Sequence, residues 1–188
     1  MWRARLDAPG WPDAPDLPPS ERDRATRLTR PHGWRRWAAA RWALRRLLAS
    51  YLDREPAEIE LAFGERGKPM LADPDAALHF NLSHSGEWAL IAVCRDREVG
   101  IDVQQMRRRR GRERPPGFYA EWTRREAIAK CHGVGLWAPL PNAPVAVHEL
   151  DVEPGYAAAL AVAGGEMPAV RRRSVGPAEL AVVPGGSA

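Results

Sequence analysis

Apolar positions along the chain recur with two periods, and the change of period divides it into segments. From Trp34 to Leu52, the residues Trp34, Trp37, Leu44, Leu48 and Tyr51 fall at helical spacing, which predicts a long helix. A shorter helix is predicted before it. Ser20 reads as an N-cap, ERDRATRL supplies an acidic first turn, and Pro31, His32 and Gly33 end it. Residues 7–20 carry five prolines and read as an extended loop after a short first strand. From residue 58 the pattern shortens: EIELAF, a GERGKP turn, LHFNL, WALIAVC and EVGIDVQ read as strands, with DRE as a hairpin connection between the last two. MRRRRGRERPPG is too charged and too rich in Pro and Gly to pack, and reads as a surface linker. A second helix runs from Tyr119 to His132, with Gly133 and Gly135 as its stop. VAVHEL, GYAAALAVAG and EMPAVRRR are strand-like again, and a Pro/Gly tail from about residue 174 reads as unpacked.

A weak internal echo follows from these segments. WALIAVCRDREVGIDV and YAAALAVAGGEMPAVRRR each read as an aromatic-led apolar strand, a polar turn and a second strand, and each is preceded by a helix. The expected fold class is α+β: two similar halves, residues 1–97 and 98–188, with a cleft between them.

Composition narrows the class of protein. At 188 residues and 45% hydrophobic content the chain can bury a real core, and it has no apolar run of membrane-spanning length. The N-terminus MWRARLDAPGW lacks the apolar block of a signal peptide, so a cytoplasmic location is expected. Cys94 and Cys131 form neither a disulfide framework nor a metal-ligand spacing. A net charge of +4 favours an anionic partner. Of 28 basic residues only Lys68 and Lys130 are lysines. In a chain that otherwise writes its positive charge as arginine, they mark either chance or sites that want a compact ammonium.

The stretch HFNLSHSGEWALIAV places Asn81, Ser83, His84, Ser85 and Gly86 between two apolar runs, more hydrogen-bonding side chains than a turn requires. In GIDVQ, alternation puts Asp102 and Gln104 on one face of a strand, where two oxygen-bearing side chains can share a hard cation. WTRREAIAK sets Trp122, Glu126 and Lys130 on one helical stripe. By itself the stripe also reads as an apolar anchor with a solvated ion pair. Taken together, oxygen ligands for Mg²⁺ beside phosphate-directed cations are what phosphoryl or pyrophosphate chemistry needs.

With these residues in order, the chain resembles the 4′-phosphopantetheinyl transferase superfamily, in particular its single-chain, pseudo-dimeric Sfp type. The resemblance is carried by GKP at 67–69, FNLSHS at 80–85, GIDVQ at 100–104, WTRREAIAK at 122–130 with GVGL at 133–136, and EPGYAAALAV at 153–162. It implies transfer of the 4′-phosphopantetheine arm of coenzyme A to a serine of an acyl or peptidyl carrier protein. It also implies an α+β fold of two similar halves with the active site between them.

The resemblance further implies roles for individual residues. Mg²⁺ would be held by Asp102 and Glu126, with Gln104 as a further oxygen ligand. Glu126 would be the base for the serine, and Lys130 would pair with the pyrophosphate and stabilise the leaving phosphate. Lys68, Ser83 and His84 would meet the phosphates of coenzyme A, and Arg24, Arg36 and Arg41 would hold its nucleotide end. Arg41 also reads as a snorkelling residue at the edge of the core.

The match departs in three places. Gln104 stands where glutamate is usual and brings no charge, Arg125 stands where lysine is usual, and only 17 residues separate Gln104 from Trp122. The basic run 107–114 reads either as a solvated linker or as a docking patch for an acidic carrier-protein helix. Gln104 and the short segment also motivate a second reading, a coenzyme A binding protein without transfer activity. Neither a nucleic-acid nor a membrane partner is expected, since no nucleic-acid motif occurs. An internally duplicated chain is expected to be a monomer.

Overall fold

The computed structural model describes residues 1–13, 17–26, 31–107 and 114–181. The chain opens with β1 (Trp2–Arg5), then α1 (Pro19–Thr26) and α2 (Pro31–Leu52). A small hairpin of β2 (Leu61–Phe63) and β3 (Pro69–Leu71) precedes three longer strands, β4 (Leu78–Ser85), β5 (Trp88–Arg95) and β6 (Val99–Gln105). After α3 (Phe118–His132) come β7 (Val145–Glu149), β8 (Tyr156–Ala163), β9 (Arg173–Ser174) and α4 (Pro177–Ala181).

The architecture is α+β. One sheet has the order β4-β5-β1-β9 and another β6-β8-β7, with α2 outside the first and α3 outside the second. Strand alternation explains the layering. On β5, Ile91 joins Leu44 and Leu48 of α2 in one core, whereas Leu90 and Ala92 join Ile101, Val103, Leu160 and Val162 between the sheets. On β8, Ala159 and Ala161 turn the other way, against Ala127 and Cys131 of α3. Small residues on that face let the helix approach closely. Among the described residues, no helix is long and apolar enough to cross a membrane.

Several expectations need correction. The DRE segment does not close a hairpin: β5 and β6 lie in different sheets, and the hairpin partner of β5 is β4. The strand pattern is local, whereas the partner is chosen by which faces must be buried. Likewise EMPAVRRR gives only the two-residue β9, which pairs parallel with β1 of the other half. Nor is the chain beyond residue 174 wholly unpacked. Val175 and Leu180 are buried in the α2 core, so residues 173–181 belong spatially with the first half and not with 98–188. Helix α2 begins at Pro31, within the segment expected to end the first helix. Proline suits a first helical turn because no amide hydrogen is needed there.

Candidate active site

Strand β6 is the outer strand of its sheet, so one edge of it needs hydrogen-bond partners from elsewhere. Its amides find side chains of β4. Asn81 Oδ1 accepts from the Ile101 N–H at 2.9 Å, Ser83 Oγ from Val103 at 3.3 Å, and Ser85 Oγ from Gln105 at 3.0 Å. Alternate residues of one strand thus serve alternate residues of the other, and the two sheets are joined by side chains where their backbones do not pair. On the same edge, the carbonyl oxygens of Val99 and Ile101 accept from the ammonium groups of Lys68 and Lys130, at 3.2 and 3.4 Å. This explains the polar cluster after Phe80: three of its members close the seam between the sheets.

Asp102 lies on this seam, 1% exposed. Its Oδ1 accepts from Ser83 Oγ at 2.8 Å and from Lys130 Nζ at 2.6 Å, and its Oδ2 accepts from Gln104 Nε2 at 3.1 Å. A buried carboxylate needs such partners to remain tolerable. Lys130 reaches it because α3 rests directly on β6 at Gly100. A Cβ there would run into the Ala127 carbonyl and the Cys131 amide, so only glycine permits this approach. Gly133 then ends α3 in the left-handed conformation at φ 67°, with its N–H bonded back to the helix.

Glu126 sits one turn before Lys130 and accepts no hydrogen bond among the described residues. Desolvation raises the pKa of its carboxyl above the ordinary value. Lys130 pulls the other way, and the charge of Asp102 adds to the rise. The two acids therefore share one electrostatic neighbourhood. His84 is exposed, and desolvation, followed by the positive charges of Lys130 and Arg36, lowers the pKa of its ring. Lys130 and Arg36 thus bring positive charge to His84, whose ring is favoured in its neutral form. Arg36 is itself steadied by a bidentate pair with Asp7, at 2.8 and 2.5 Å.

Other expected ligands are committed elsewhere. Lys68 Nζ meets Glu98 Oε2 at 2.5 Å, the Val99 carbonyl at 3.2 Å and the Cys131 carbonyl at 3.0 Å, and these three acceptors use all its donors. Arg41 does not snorkel: it is buried in an ion pair with Glu21, which Arg45 also contacts at 3.2 Å. Ser83 is 7% exposed and has its single hydroxyl proton on Asp102, so it acts on the acid before it could act on a phosphate. The Arg24 side chain lies outside the described residues.

The sequence reading assigned no role to Asn81 and Ser85 individually, or to Gly100 and Glu98. The period-two match of Asn81, Ser83 and Ser85 to Ile101, Val103 and Gln105 was the available signal for the first two. For a divalent cation, the site offers the Asp102 and Glu126 carboxylates and the amide oxygen of Gln104, whose nitrogen is already turned toward Asp102. Among the described residues, no group of three or more His, Cys, Asp and Glu comes together. Two carboxylates and an amide are too few for an all-protein cage. They do fit Mg²⁺, which keeps water and takes substrate oxygens.

Comparison with known proteins identifies the family. The family model described as 4′-phosphopantetheinyl transferase, N-terminal, matches residues 12–96. AcpT of Escherichia coli strain K12, a 4′-phosphopantetheinyl transferase, is 33% identical over 160 residues, covering 73% of this chain and 76% of the relative. The chain belongs to the 4′-phosphopantetheinyl transferase family. The putative 4′-phosphopantetheinyl transferase slr0495 of Synechocystis is 32% identical over 160 residues, 72% of this chain and 65% of that protein. HetI of Nostoc is 40% identical over 112 residues, 57% of this chain and 47% of HetI. The chain thus spans about half to two thirds of the length of these two family members.

Proposed function

We propose that the protein transfers the 4′-phosphopantetheine arm of coenzyme A to a serine of an acyl or peptidyl carrier protein in a Mg²⁺-dependent reaction. The observation that carries this reading is the junction of β6 and α3, where Lys130 Nζ lies 2.6 Å from Asp102 Oδ1 and Glu126 senses both charges. Coenzyme A is the substrate that suits it, because Arg36 and Lys130 supply positive charge for its phosphates and the His84 ring, favoured in its neutral form, can donate an N–H.

Asp102, Gln104 and Glu126 are the residues that would hold Mg²⁺. When bound, the ion supplies charge neutralisation on the diphosphate. Glu126 receives the proton of the carrier serine. The serine oxygen forms a bond to the β-phosphorus as the bond to the bridging oxygen breaks, and adenosine 3′,5′-bisphosphate leaves. Lys130 balances the negative charge that develops on the departing phosphate. Ser83 and Gln104 keep the Asp102 carboxylate in one orientation, so it need not reorganise during the reaction. Lys130 also has three acceptors within the protein, Ser83 Oγ, the Ile101 carbonyl and Asp102 Oδ1, but its acid partner is a proposed Mg²⁺ ligand. Lys68 and Arg41 pair instead with Glu98 and Glu21 and take no direct part in phosphate binding in this reading.

The test is incubation of the purified protein with coenzyme A, Mg²⁺ and a panel of apo-carrier proteins, followed by intact mass. One phosphopantetheine arm gained on the carrier, lost in D102A and E126Q, is the expected result. Coenzyme A binding with no gain on any carrier would support instead the reading as a binding protein without transfer activity.

A further inference from the structure

The EPGY segment carries part of the family resemblance, yet the proposed mechanism uses none of it. Its local form is a type II turn: the Glu153 carbonyl accepts the Tyr156 N–H at 3.1 Å, Pro154 takes the second place, and Gly155, left-handed at φ 85°, takes the third. The turn starts β8 and sets Tyr156 opposite Gln105, the last residue of β6. The Tyr156 ring is half-buried and packs on the core between the sheets. Its hydroxyl crosses to the other sheet.

There it accepts the Glu87 N–H at 3.3 Å, and that amide has no other partner among the described residues. Glu87 belongs to the two-residue turn between β4 and β5, whose first residue, Gly86, is left-handed at φ 58°. A Cβ on Gly86 would run into the Tyr156 hydroxyl and Gln105 Oε1, so the turn lies directly against both. The other groups of Glu87 are held within the first sheet, the carbonyl by the Leu6 N–H at 2.7 Å and the carboxylate by Arg5 at 2.7 Å. Tyr156 is therefore the link from this turn to the second sheet through Glu87. His84 stands two residues before Gly86. Arg36, whose charge reaches His84, has its own pKa raised first by the hydrogen bond to Asp7, with Tyr156 and Glu87 adding to the rise.

We infer that Tyr156 is a positioning residue for coenzyme A binding: through the Glu87 N–H, its hydroxyl fixes the β4–β5 turn and with it the place of His84 at the phosphates. The inference rests on the transferase reading above, in which His84 meets those phosphates. The hydroxyl carries the role and not the ring, because phenylalanine would fill the same place in the core and leave the Glu87 N–H without its acceptor. A turn free to shift weakens the His84 contact equally before and during transfer. The cost therefore falls on KM for coenzyme A and spares kcat.

The experiment compares the wild type, Tyr156→Phe, His84→Ala and the double variant. Coenzyme A affinity is measured by calorimetry, transfer kinetics on an apo-carrier, and melting temperature on the same samples. Tyr156→Phe is expected to raise Kd and KM for coenzyme A by about fivefold with kcat within about twofold of wild type, and to speed hydrogen exchange at the Glu87 amide. In the double variant it should add nothing to the loss caused by His84→Ala, since the hydroxyl acts through the histidine. A lower melting temperature with wild-type coenzyme A affinity overturns the proposal, by leaving Tyr156 a role in folding alone. Additive losses overturn it too, by placing Tyr156 on the ligand directly, and so does wild-type affinity in His84→Ala. A wild type that binds coenzyme A yet modifies no carrier overturns the transferase reading, while the affinity cycle still decides the role of Tyr156.

Discussion

Ser83 and Asp102 share a hydrogen bond of 2.8 Å across the seam between two sheets, and the same serine oxygen accepts the Val103 amide at 3.3 Å. One hydroxyl thus closes an open strand edge and orients the buried acid. Ser83→Ala removes both functions and leaves the Val103 N–H without its partner. The expected loss is about 2 kcal/mol in denaturant unfolding, the usual cost of stranding a buried donor. Faster hydrogen exchange at Val103 should accompany it. Wild-type stability and exchange in this variant would show that the seam is held by other contacts.

Gln104 donates its amide to Asp102 Oδ2. Gln104→Glu replaces that donor by a second negative charge beside a buried one, so the variant should melt lower than the wild type in chelator. With Mg²⁺ or Mn²⁺ added the order should reverse, because three acids attract the cation better than two. About tenfold tighter cation binding is expected, seen as a larger rise in melting temperature at a fixed cation concentration. Equal cation-induced shifts in the two proteins would place the cation away from Gln104.

Gly100 is the point where α3 touches β6, and no side chain fits there. Gly100→Ala should push the helix outward, costing roughly 2 kcal/mol or more in stability. Moving the helix also carries Glu126 and Lys130 away from Asp102. Transfer activity should therefore fall much further than the folded fraction does, which activity and circular dichroism on the same sample will show.

Burial pushes the Cys131 thiol up to about 11 from an ordinary value of 9.0, whereas Cys94 is only half-buried. Native alkylation at pH 8 should label Cys94 and spare Cys131. The sign for stability follows from linkage. Between these two values the unfolded thiol has lost its proton while the folded one keeps it, so stability falls as pH rises through that window. Cys131→Ala should flatten this alkaline slope in unfolding measured from pH 8 to 11.

Much of the site was legible from periodicity. The four-residue steps Trp122, Glu126 and Lys130 placed an acid and an amine on one helical stripe, and alternation in GIDVQ put Asp102 on a defined face. Gly133 as the helix stop was equally plain, because a left-handed residue after a helix nearly requires glycine. What could not be read was long-range pairing. Arg41 and Lys68 look like free cations in sequence, and their partners Glu21 and Glu98 lie 20 and 30 residues away. The DRE segment looked like a hairpin because a turn between two apolar runs carries no mark of which sheet each run joins. The partners of Ser83, the Asp102 carboxylate and the Val103 amide, were hidden for the same reason: a polar side chain on a strand advertises hydrogen bonding without naming its partner.

The return of residues 173–181 to the first half bears on how the chain is made. β1 has β9 as its parallel neighbour, and Leu180 fills the core beneath α2, so that layer lacks part of its interior until residue 180 has left the ribosome. Such a molecule is expected to consolidate late and as a single unit, with no independently stable leading portion. Clipping just after β8 should therefore leave β1 paired on one side only, with β5, and the α2 core without Leu180.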